Sequence, residues 1–156
     1  MILSLPNKLS KKFLVTRVET EYERCEFNLT LIHDFCLEKW RERAKERYMK
    51  PPEDLSNSCK FTSMFVRQIL GGHITGNFYH QFCIVEDEIV DINQNCKDVL
   101  ELDEPHFIDS NFIGNRDHIF SLESCIPRLN DWIDEFNSKY ICNLNVKGQN
   151  ISYMYP

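Results

Sequence analysis

A cysteine, a histidine and an aspartate follow one another along the chain as Cys59, His80 and Asp91. A thiolate can attack an acyl carbon, an imidazole can move the proton, and a carboxylate can orient the imidazole. Cys59 begins the stretch CKFTSMFVRQIL. A thiol at a helix amino terminus or beside a protonated histidine has a lowered pKa. The order therefore predicts a catalytic triad with Cys59 as nucleophile, His80 as base and Asp91 as orienter.

The third member of the triad depends on the register of a predicted hairpin. Residues 78–85 and 88–93 have the composition of two strands, and Glu86-Asp87 is the expected turn between them. With a two-residue turn, Asp91 lies diagonal to His80 on the same face and Asn93 lies across from it. Asn93 is therefore the alternative orienter. A three-residue turn would present Gln94 instead.

The nucleophile needs a helix, and the sequence predicts two helices in its neighbourhood. Apolar residues recur at three- and four-residue steps over about 28–48, and Pro51-Pro52 ends that helix. A short helix then begins at Cys59, with Asn57 or Ser58 as its cap and Gly71 in the left-handed position past its end. This second helix is apolar nearly all round, which is typical of a buried central helix.

The remaining elements predict an α+β fold, with an antiparallel sheet packed against the central buried helix that bears Cys59. An amphipathic helix follows Cys125 with its apolar residues on one face, and a length of 156 residues fits a single domain over 1–156. Two further strand regions are expected, a short strand at 14–18 and two strands about Lys147-Gly148. Irregular structure is expected over 96–115. Loops are expected around His73 and His106 and at Asp117-His118.

Composition excludes several classes of function. The net charge of −6 argues against a nucleic-acid partner. The one basic run, KWRERAKERYMK, is interleaved with Glu42 and Glu46 and predicts a solvated helix face, not a phosphate-binding surface. No apolar run approaches the ~20 residues of a membrane span and no signal peptide is recognisable, so no membrane association and a cytoplasmic setting are expected.

Seven cysteines at wide spacings, with no CxxC pair, predict neither a disulfide framework nor a structural zinc site. His80 and Cys83 have a ligand-like gap but should point to opposite faces of a strand. No metal or cofactor is therefore expected. The cysteines other than Cys59 are expected to fill space in the core, namely Cys25, Cys36, Cys83, Cys96, Cys125 and Cys142.

The stretches NSCKFTSMFV and HQFCIVEDEIVDINQ resemble the papain-like and transglutaminase-like cysteine superfamily. The resemblance consists of a cysteine heading a buried helix, then a histidine on a strand, then Asp or Asn on the next strand. It implies acyl-transfer chemistry on protein or peptide-like amides or on thioesters, as in a peptidase, amidase, deamidase or transglutaminase. Where papain has an oxyanion-donating glutamine, this chain has Glu53. A permuted arrangement of the fold would use His33 in place of His80.

A second interpretation stays open at the level of sequence. The acidic surface and the missing glutamine also fit a non-catalytic α+β interaction module, including a degenerate member of the same fold. The reactivity of the Cys59 thiol discriminates between the two, because a catalytic cysteine reacts with electrophiles faster than a space-filling one.

Overall fold

The computed structural model describes residues 8–11, 14–93 and 107–148. In chain order the elements are α1 (Glu26–Glu46), α2 (Cys59–Leu70), β1 (His73–Gly76), β2 (Gln81–Val85), β3 (Glu88–Val90), α3 (Arg116–Ser124), α4 (Ile126–Tyr140) and a short 3-10 helix at Ile141–Asn143. The strands form one antiparallel sheet in the order β1-β2-β3. The predicted α+β class with an antiparallel sheet is confirmed.

Helix α2 lies at the centre of the packing. Every residue from Phe61 to Leu70 is buried, as expected for a helix that is apolar on more than one face. The sheet packs against α2, and Cys83 of β2 donates its S–H to the Ser63 carbonyl of the helix at 2.8 Å. Gly71 ends α2 with φ 84°, which matches the expected positive dihedral. The prediction of a central buried helix headed by Cys59 is confirmed.

Two further helices complete the core around α2. Helix α1 begins and ends two residues before the expected 28–48. Rings from α1, α2 and α4 join the three helices: Phe35 stacks on Phe65 at 5.4 Å, and Phe136 meets Phe65 edge-on at 5.3 Å. Aromatic pairs in these geometries add to the burial of apolar area. The apolar face predicted for α4 is the buried one.

The β2–β3 hairpin has the turn expected from the sequence. Val85 pairs with Glu88 and Cys83 with Val90, so Glu86 and Asp87 alone make the turn. Both have positive φ, 52° and 63°, as a type I′ turn requires. The paired strands are shorter than the expected 78–85 and 88–93. Asp91 follows immediately after the last paired residue.

Several other elements differ from the sequence predictions. Residues 73–76 form β1, although His73 was expected in a loop. Asp117 and His118, expected in a loop, lie in the first turn of α3, a helix that was missed because its apolar residues are few. The side chain of Asn115 caps this helix. The segment 14–18 contributes one bridge, Val18 to Gly72. Lys147 and Gly148 form a turn, and the second strand expected after them lies outside the described residues, as does His106.

Candidate active site

Cys59 is the first residue of α2. Ser58 occupies the N-cap position, but its hydroxyl donates to the Leu55 carbonyl at 2.5 Å and does not accept from a helix N–H. The expected capping by Ser58 is therefore wrong. Amide N–H groups in the first turn of a helix have no intrahelical acceptor, and this end of the helix carries a partial positive charge. The Cys59 thiol is thus placed where an anion is favoured.

The surroundings of Cys59 differ from those of the core cysteines. Cys59 is half-buried, whereas Cys36, Cys83 and Cys125 are buried, as expected. Burial raises the pKa of all three buried thiols, that of Cys83 to about 12. These three cysteines are inert packing groups, while Cys59 is only partly buried.

Two cysteines expected in the core are not buried there. Cys25 is half-buried and accepts a hydrogen bond from Asn145 at 3.5 Å, and Cys142 is exposed. Cys96 lies outside the described residues. Cys25 and Cys142 therefore serve as internal references for the reactivity of an accessible thiol.

His80 precedes β2 and is held by a turn instead of strand pairing. The side-chain oxygen of Asn77 accepts from the backbone N–H of His80 at 3.0 Å and of Tyr79 at 2.9 Å. Gly76 has φ 143°, and a Cβ there would lie 2.2 Å from the His80 carbonyl oxygen. Only glycine permits this approach of the two backbone segments. The turn fixes the imidazole against α2.

His80 and Asp91 form a buried hydrogen-bonded pair. His80 Nε2 lies 2.5 Å from Asp91 Oδ2, and the two side chains are 1% and 3% exposed. The other carboxylate oxygen, Oδ1, accepts from the Asn93 backbone N–H at 2.8 Å. The side chain of Asp91, the first residue after β3, is therefore almost fully shielded from water. Such a pair fixes the orientation of the imidazole.

The electrostatics of His80 are set by three effects. Burial disfavours the charged imidazole, but hydrogen bonds with Asp91 and Cys59 and the charges of the same two groups outweigh it and raise the pKa of His80 to about 9. His80 is therefore protonated at neutral pH. The structure pairs His80 with Asp91 through Nε2, and Cys59 lies close enough for its charge to act on the imidazole.

Asn93, the alternative orienter, has a different role. Its amide nitrogen donates to Thr62 Oγ1 at 2.7 Å, and Thr62 Oγ1 donates to the Ser58 carbonyl at 3.1 Å. Asn93 is 2% exposed. It therefore connects the segment after β3 to the start of α2, and the carboxylate on the imidazole is that of Asp91. Gln94 lies outside the described residues.

A second hydrogen-bond chain reaches the same turn of α2 from the other side. His118 Nε2 lies 2.7 Å from Gln81 Oε1, Gln81 Nε2 donates to Ser63 Oγ at 2.5 Å, and Ser63 Oγ donates to the Cys59 carbonyl at 2.5 Å. Because Gln81 Oε1 can only accept, His118 Nε2 carries the proton. Burial, assisted by the charge of Lys60, lowers the pKa of His118 to about 4.

Both hydrogen-bond chains pass through a residue close in sequence to His80 or Asp91. Gln81 follows His80, and Asn93 lies two residues after Asp91. Both chains end on carbonyls of the residues that begin α2, Ser58 and Cys59. The segments that hold His80 and Asp91 are thus tied to the helix turn that carries the Cys59 thiol. The polar contacts of a buried site are worth most when every member is satisfied.

The competing assignments find no support in the geometry. His33 lies on α1 with Nδ1 on the neighbouring Asp34 at 3.0 Å. Within the described ranges there is no group of three or more His, Cys, Asp or Glu side chains that could hold a metal ion. Glu53, at the position of the oxyanion glutamine in papain, is exposed. An oxyanion at Cys59 would therefore rely on backbone N–H groups at the head of α2.

Sequence reasoning missed the residues that hold the triad in place. Asn77 carried a readable signal, because asparagine directly after glycine and before two aromatics is typical of a turn. Ser63, Gln81, Thr62 and His118 carried none, since their pairing depends on contacts between elements. Ser63 and Gln81 lie eighteen positions apart in sequence.

Comparison of the chain with protein-family models, with curated proteins and with solved structures found no match. In the described part of the chain, no helix combines the length and apolar character that crossing a bilayer requires.

Proposed function

We propose that the protein is a cysteine-dependent acyl-transfer enzyme in which Cys59 is the nucleophile, His80 the acid and base, and Asp91 the orienter. One observation carries the proposal: the buried His80 imidazole is hydrogen-bonded to the Asp91 carboxylate at 2.5 Å, beside the half-buried Cys59 at the head of α2. A nucleophile, a base and an orienter arranged in this order define this class of site on unrelated folds.

The first half-reaction starts from the reactive form of the site, in which protonated His80 stands beside Cys59 as thiolate, because cysteine attacks as the thiolate. The sulfur forms a bond to the acyl carbon of an amide or thioester, and the carbonyl electron pair moves to oxygen. First-turn N–H groups of α2 stabilise this oxyanion. As the carbonyl re-forms, the bond to the leaving group breaks, and His80 gives its Nδ1 proton to the departing amine or thiol.

The second half-reaction regenerates the enzyme. Water or an acceptor amine attacks the thioester carbon and passes its proton to His80 Nδ1. The carbon–sulfur bond then breaks, and the sulfur leaves as thiolate beside the restored imidazolium. Asp91 stays ionised on Nε2 throughout and keeps the ring from rotating. Hydrolysis and transfer differ only in which nucleophile enters.

The order of elements supports a place for this chain in the papain-like and transglutaminase-like superfamily. A cysteine heads the central helix, the histidine precedes the middle strand β2, and the aspartate follows β3. We infer protein or peptide-like amides as the substrate class and the cytoplasm as the setting, where a free thiol persists. The exposed rings of Phe78 and Tyr79, 62% and 78% exposed next to His80, offer apolar contacts for such a substrate.

Site-specific alkylation of the intact chain tests the proposal. With iodoacetamide at about pH 6, where a free thiol is mostly protonated, Cys59 should be labelled faster than Cys142 and Cys25, as read by peptide mapping. His80→Ala should bring the Cys59 rate down to that of Cys142. Equal labelling of Cys59 and Cys142 in the wild-type protein would refute the enzyme.

Cys59→Ser is the matched variant for this experiment. Serine can turn its oxygen toward the first-turn N–H groups, as a capping residue does, so the melting temperature should change little while fast labelling disappears. A core thiol replaced by serine would instead cost about 1–3 kcal/mol. A Cys59→Ser protein that melts much earlier than the wild type would show that Cys59 is a packing residue.

A non-catalytic interaction module is the second candidate, favoured by the exposed Glu53 at the position of an oxyanion donor. Such a module has no need of a reactive thiol, so the same labelling experiment separates the two candidates.

A further inference from the structure

The basic run at the end of α1 has two distinct faces. The acidic residues of the run pair with cations other than Arg43, Arg47 and Lys50. Glu42 accepts from Lys39 at 2.9 Å, and Glu46 pairs with Arg128 at 2.8 Å. Three cations, Arg43, Arg47 and Lys50, instead line a cavity of about 300 Å³ beside α1. The other lining residues are Trp40, Ala44, Met49, Pro52, Ser56 and Asn57, none of them acidic. We call this cavity the cationic pocket.

Arg43 forms the inner wall of the cationic pocket. Its guanidinium lies over the Phe61 ring at 4.9 Å and over the Trp40 ring at 5.8 Å. Its Nε atom is buried and has no hydrogen-bond partner within the described residues. The Trp40 indole in turn donates to the Ser56 carbonyl at 3.1 Å, which ties the opposite wall to α1. The wall is therefore braced.

Like charges crowd the cationic pocket. Burial lowers the pKa of Arg43, and the charges of Arg128 and Arg47 lower it further. In the part of the chain that the structure describes, no carboxylate lies within ion-pairing distance of Arg43, Arg47 or Lys50. The carboxylates beside the cavity, Asp54 and Glu46, accept from Ser56 and Arg128, and the three lining cations outnumber them, so the cavity keeps a local positive potential. A bound anion would relieve this repulsion.

We propose that the cationic pocket binds a small ligand through a phosphate-type oxyanion group. Guanidinium groups present paired N–H donors that match the oxygens of a phosphate, and Lys50 adds a point charge. The volume accommodates a small phosphorylated molecule, and the overall negative charge of the chain opposes a long polyanion. Sequence alone predicted a solvated face here, because the run mixes both signs of charge.

The position of the cationic pocket adds a second source of positive potential. Ser56 and Asn57 lie directly before the N-cap of the twelve-residue helix α2. Helix amino termini attract anions. The proposal does not depend on acyl transfer, since it concerns binding to groups other than the triad.

Calorimetric titration of the intact chain with inorganic pyrophosphate at low ionic strength tests the pocket. Saturable binding of one equivalent is expected, and the double variant Arg47→Gln/Lys50→Gln should weaken it at least about tenfold, as expected for losing two charge-assisted contacts. Lys45→Gln, which removes an exposed charge of the same helix outside the lining, is the matched control and should leave the affinity within about twofold.

Two outcomes would overturn the proposal: no saturable heat with pyrophosphate, or an equal loss of affinity in Lys45→Gln, which would mean diffuse attraction to the basic run. Repeating the titration on Cys59→Ser keeps the two proposals separate. Binding retained in that variant supports the pocket whatever the reactivity of Cys59, whereas binding lost there would place the anion at the thiol and refute the pocket.

Discussion

At the scale of single residues, the informative contact is the buried hydrogen bond between His80 and Asp91, which lies beside Cys59. Asp91 and His80 are almost fully shielded from water, so their mutual attraction is weakly screened. The thiol is the member nearest solvent. This division fits a site in which the base is fixed and the nucleophile meets the incoming molecule.

Replacing Asp91 tests that division. Asp91→Asn keeps the side-chain shape but removes the charge on Nε2, and losing a close opposite charge lowers a histidine pKa by about 1–3 units. The Cys59 labelling rate at neutral pH should therefore fall about tenfold or more, as measured by peptide mapping. An unchanged rate would show that Asp91 does not act on the nucleophile.

Asp91→Ala is the stability counterpart. It leaves the buried Nε2 of His80 and the N–H of Asn93 without their acceptor, at a cost of about 1–3 kcal/mol. In urea unfolding, Asp91→Asn should lower the free energy of unfolding less than Asp91→Ala does. A loss of Cys59 labelling in Asp91→Asn is then not caused by unfolding.

At the scale of elements, the hairpin and α2 set the geometry of the site together. The two-residue turn fixes the register, and the register determines that Asp91 leaves β3 on the side of His80. The side chain of Gln81, at the start of β2, bonds to Ser63 of α2, and that of Asn93, after β3, bonds to Thr62 of α2. The open end of the hairpin is thereby attached to the beginning of α2. A change in the register of the hairpin would therefore displace Asp91 relative to His80.

The turn itself predicts a stabilising substitution. Asp87 has φ 63°, a left-handed dihedral that costs a non-glycine residue about 1–2 kcal/mol. Asp87→Gly removes most of that cost, offset in part by the greater freedom of glycine in the unfolded chain. The melting temperature should rise by about 2–4 °C, the shift expected from about 1 kcal/mol in a chain of this size.

The control is Glu88→Gly, in the paired strand, where glycine should lower the melting temperature. A lower melting temperature in Asp87→Gly would mean that the turn is not the type I′ form described. Labelling of Cys59 should be unchanged in Asp87→Gly, since the register is kept.

At the scale of the whole molecule, distant segments are joined by a few buried polar side chains. Asn28, fully buried on α1, donates to the carbonyls of Glu23 and Asn145 and accepts from the Asn145 N–H. Arg67 of α2, also fully buried, donates to the Leu14 carbonyl at 2.5 Å. The segments around Leu14 and Asn145 are thus attached to the helical core by buried hydrogen bonds. Loss of a hydrogen-bond partner is costly in such a low-dielectric interior.

His80, which is buried, and His118, which is half-buried, predict opposite dependences of stability on pH. His80 has a pKa of about 9 in the folded protein, above the ordinary value of 6.5, so its contribution is complete below about pH 6.5 and is lost as pH rises through 9. His118 has a pKa of about 4, so its contribution is present above 6.5 and is lost as pH falls toward 4.

Urea unfolding across this range measures both effects, with a slope of up to about 1.4 kcal/mol per pH unit for each group. In His80→Gln, the free energy of unfolding should fall less steeply between pH 6.5 and 9, while its fall toward pH 4 stays the same. In His118→Gln, the fall toward pH 4 should become less steep and the alkaline fall should stay the same. Parallel curves for wild type and His80→Gln between pH 6.5 and 9 would contradict the raised pKa of His80.

What the sequence determined by itself is local. The apolar spacing placed Cys59 at the head of a buried helix, and the composition of the hairpin identified its turn, its register and thereby the candidate pair His80 and Asp91. These features depend on residues a few positions apart, where backbone periodicity relates sequence to geometry directly. The assignment of His118 to a loop failed for a related reason, since α3 has too few apolar residues to show a period.

Only the tertiary structure decided which side chains meet across elements. It placed Asp91 and not Asn93 on the imidazole, linked Gln81 to Ser63 and His118, and gathered Arg43, Arg47 and Lys50 around a cavity beside Ser56. Each of these depends on how the elements pack against one another. Packing is settled by the burial of the whole apolar surface at once, and no window of sequence contains that information.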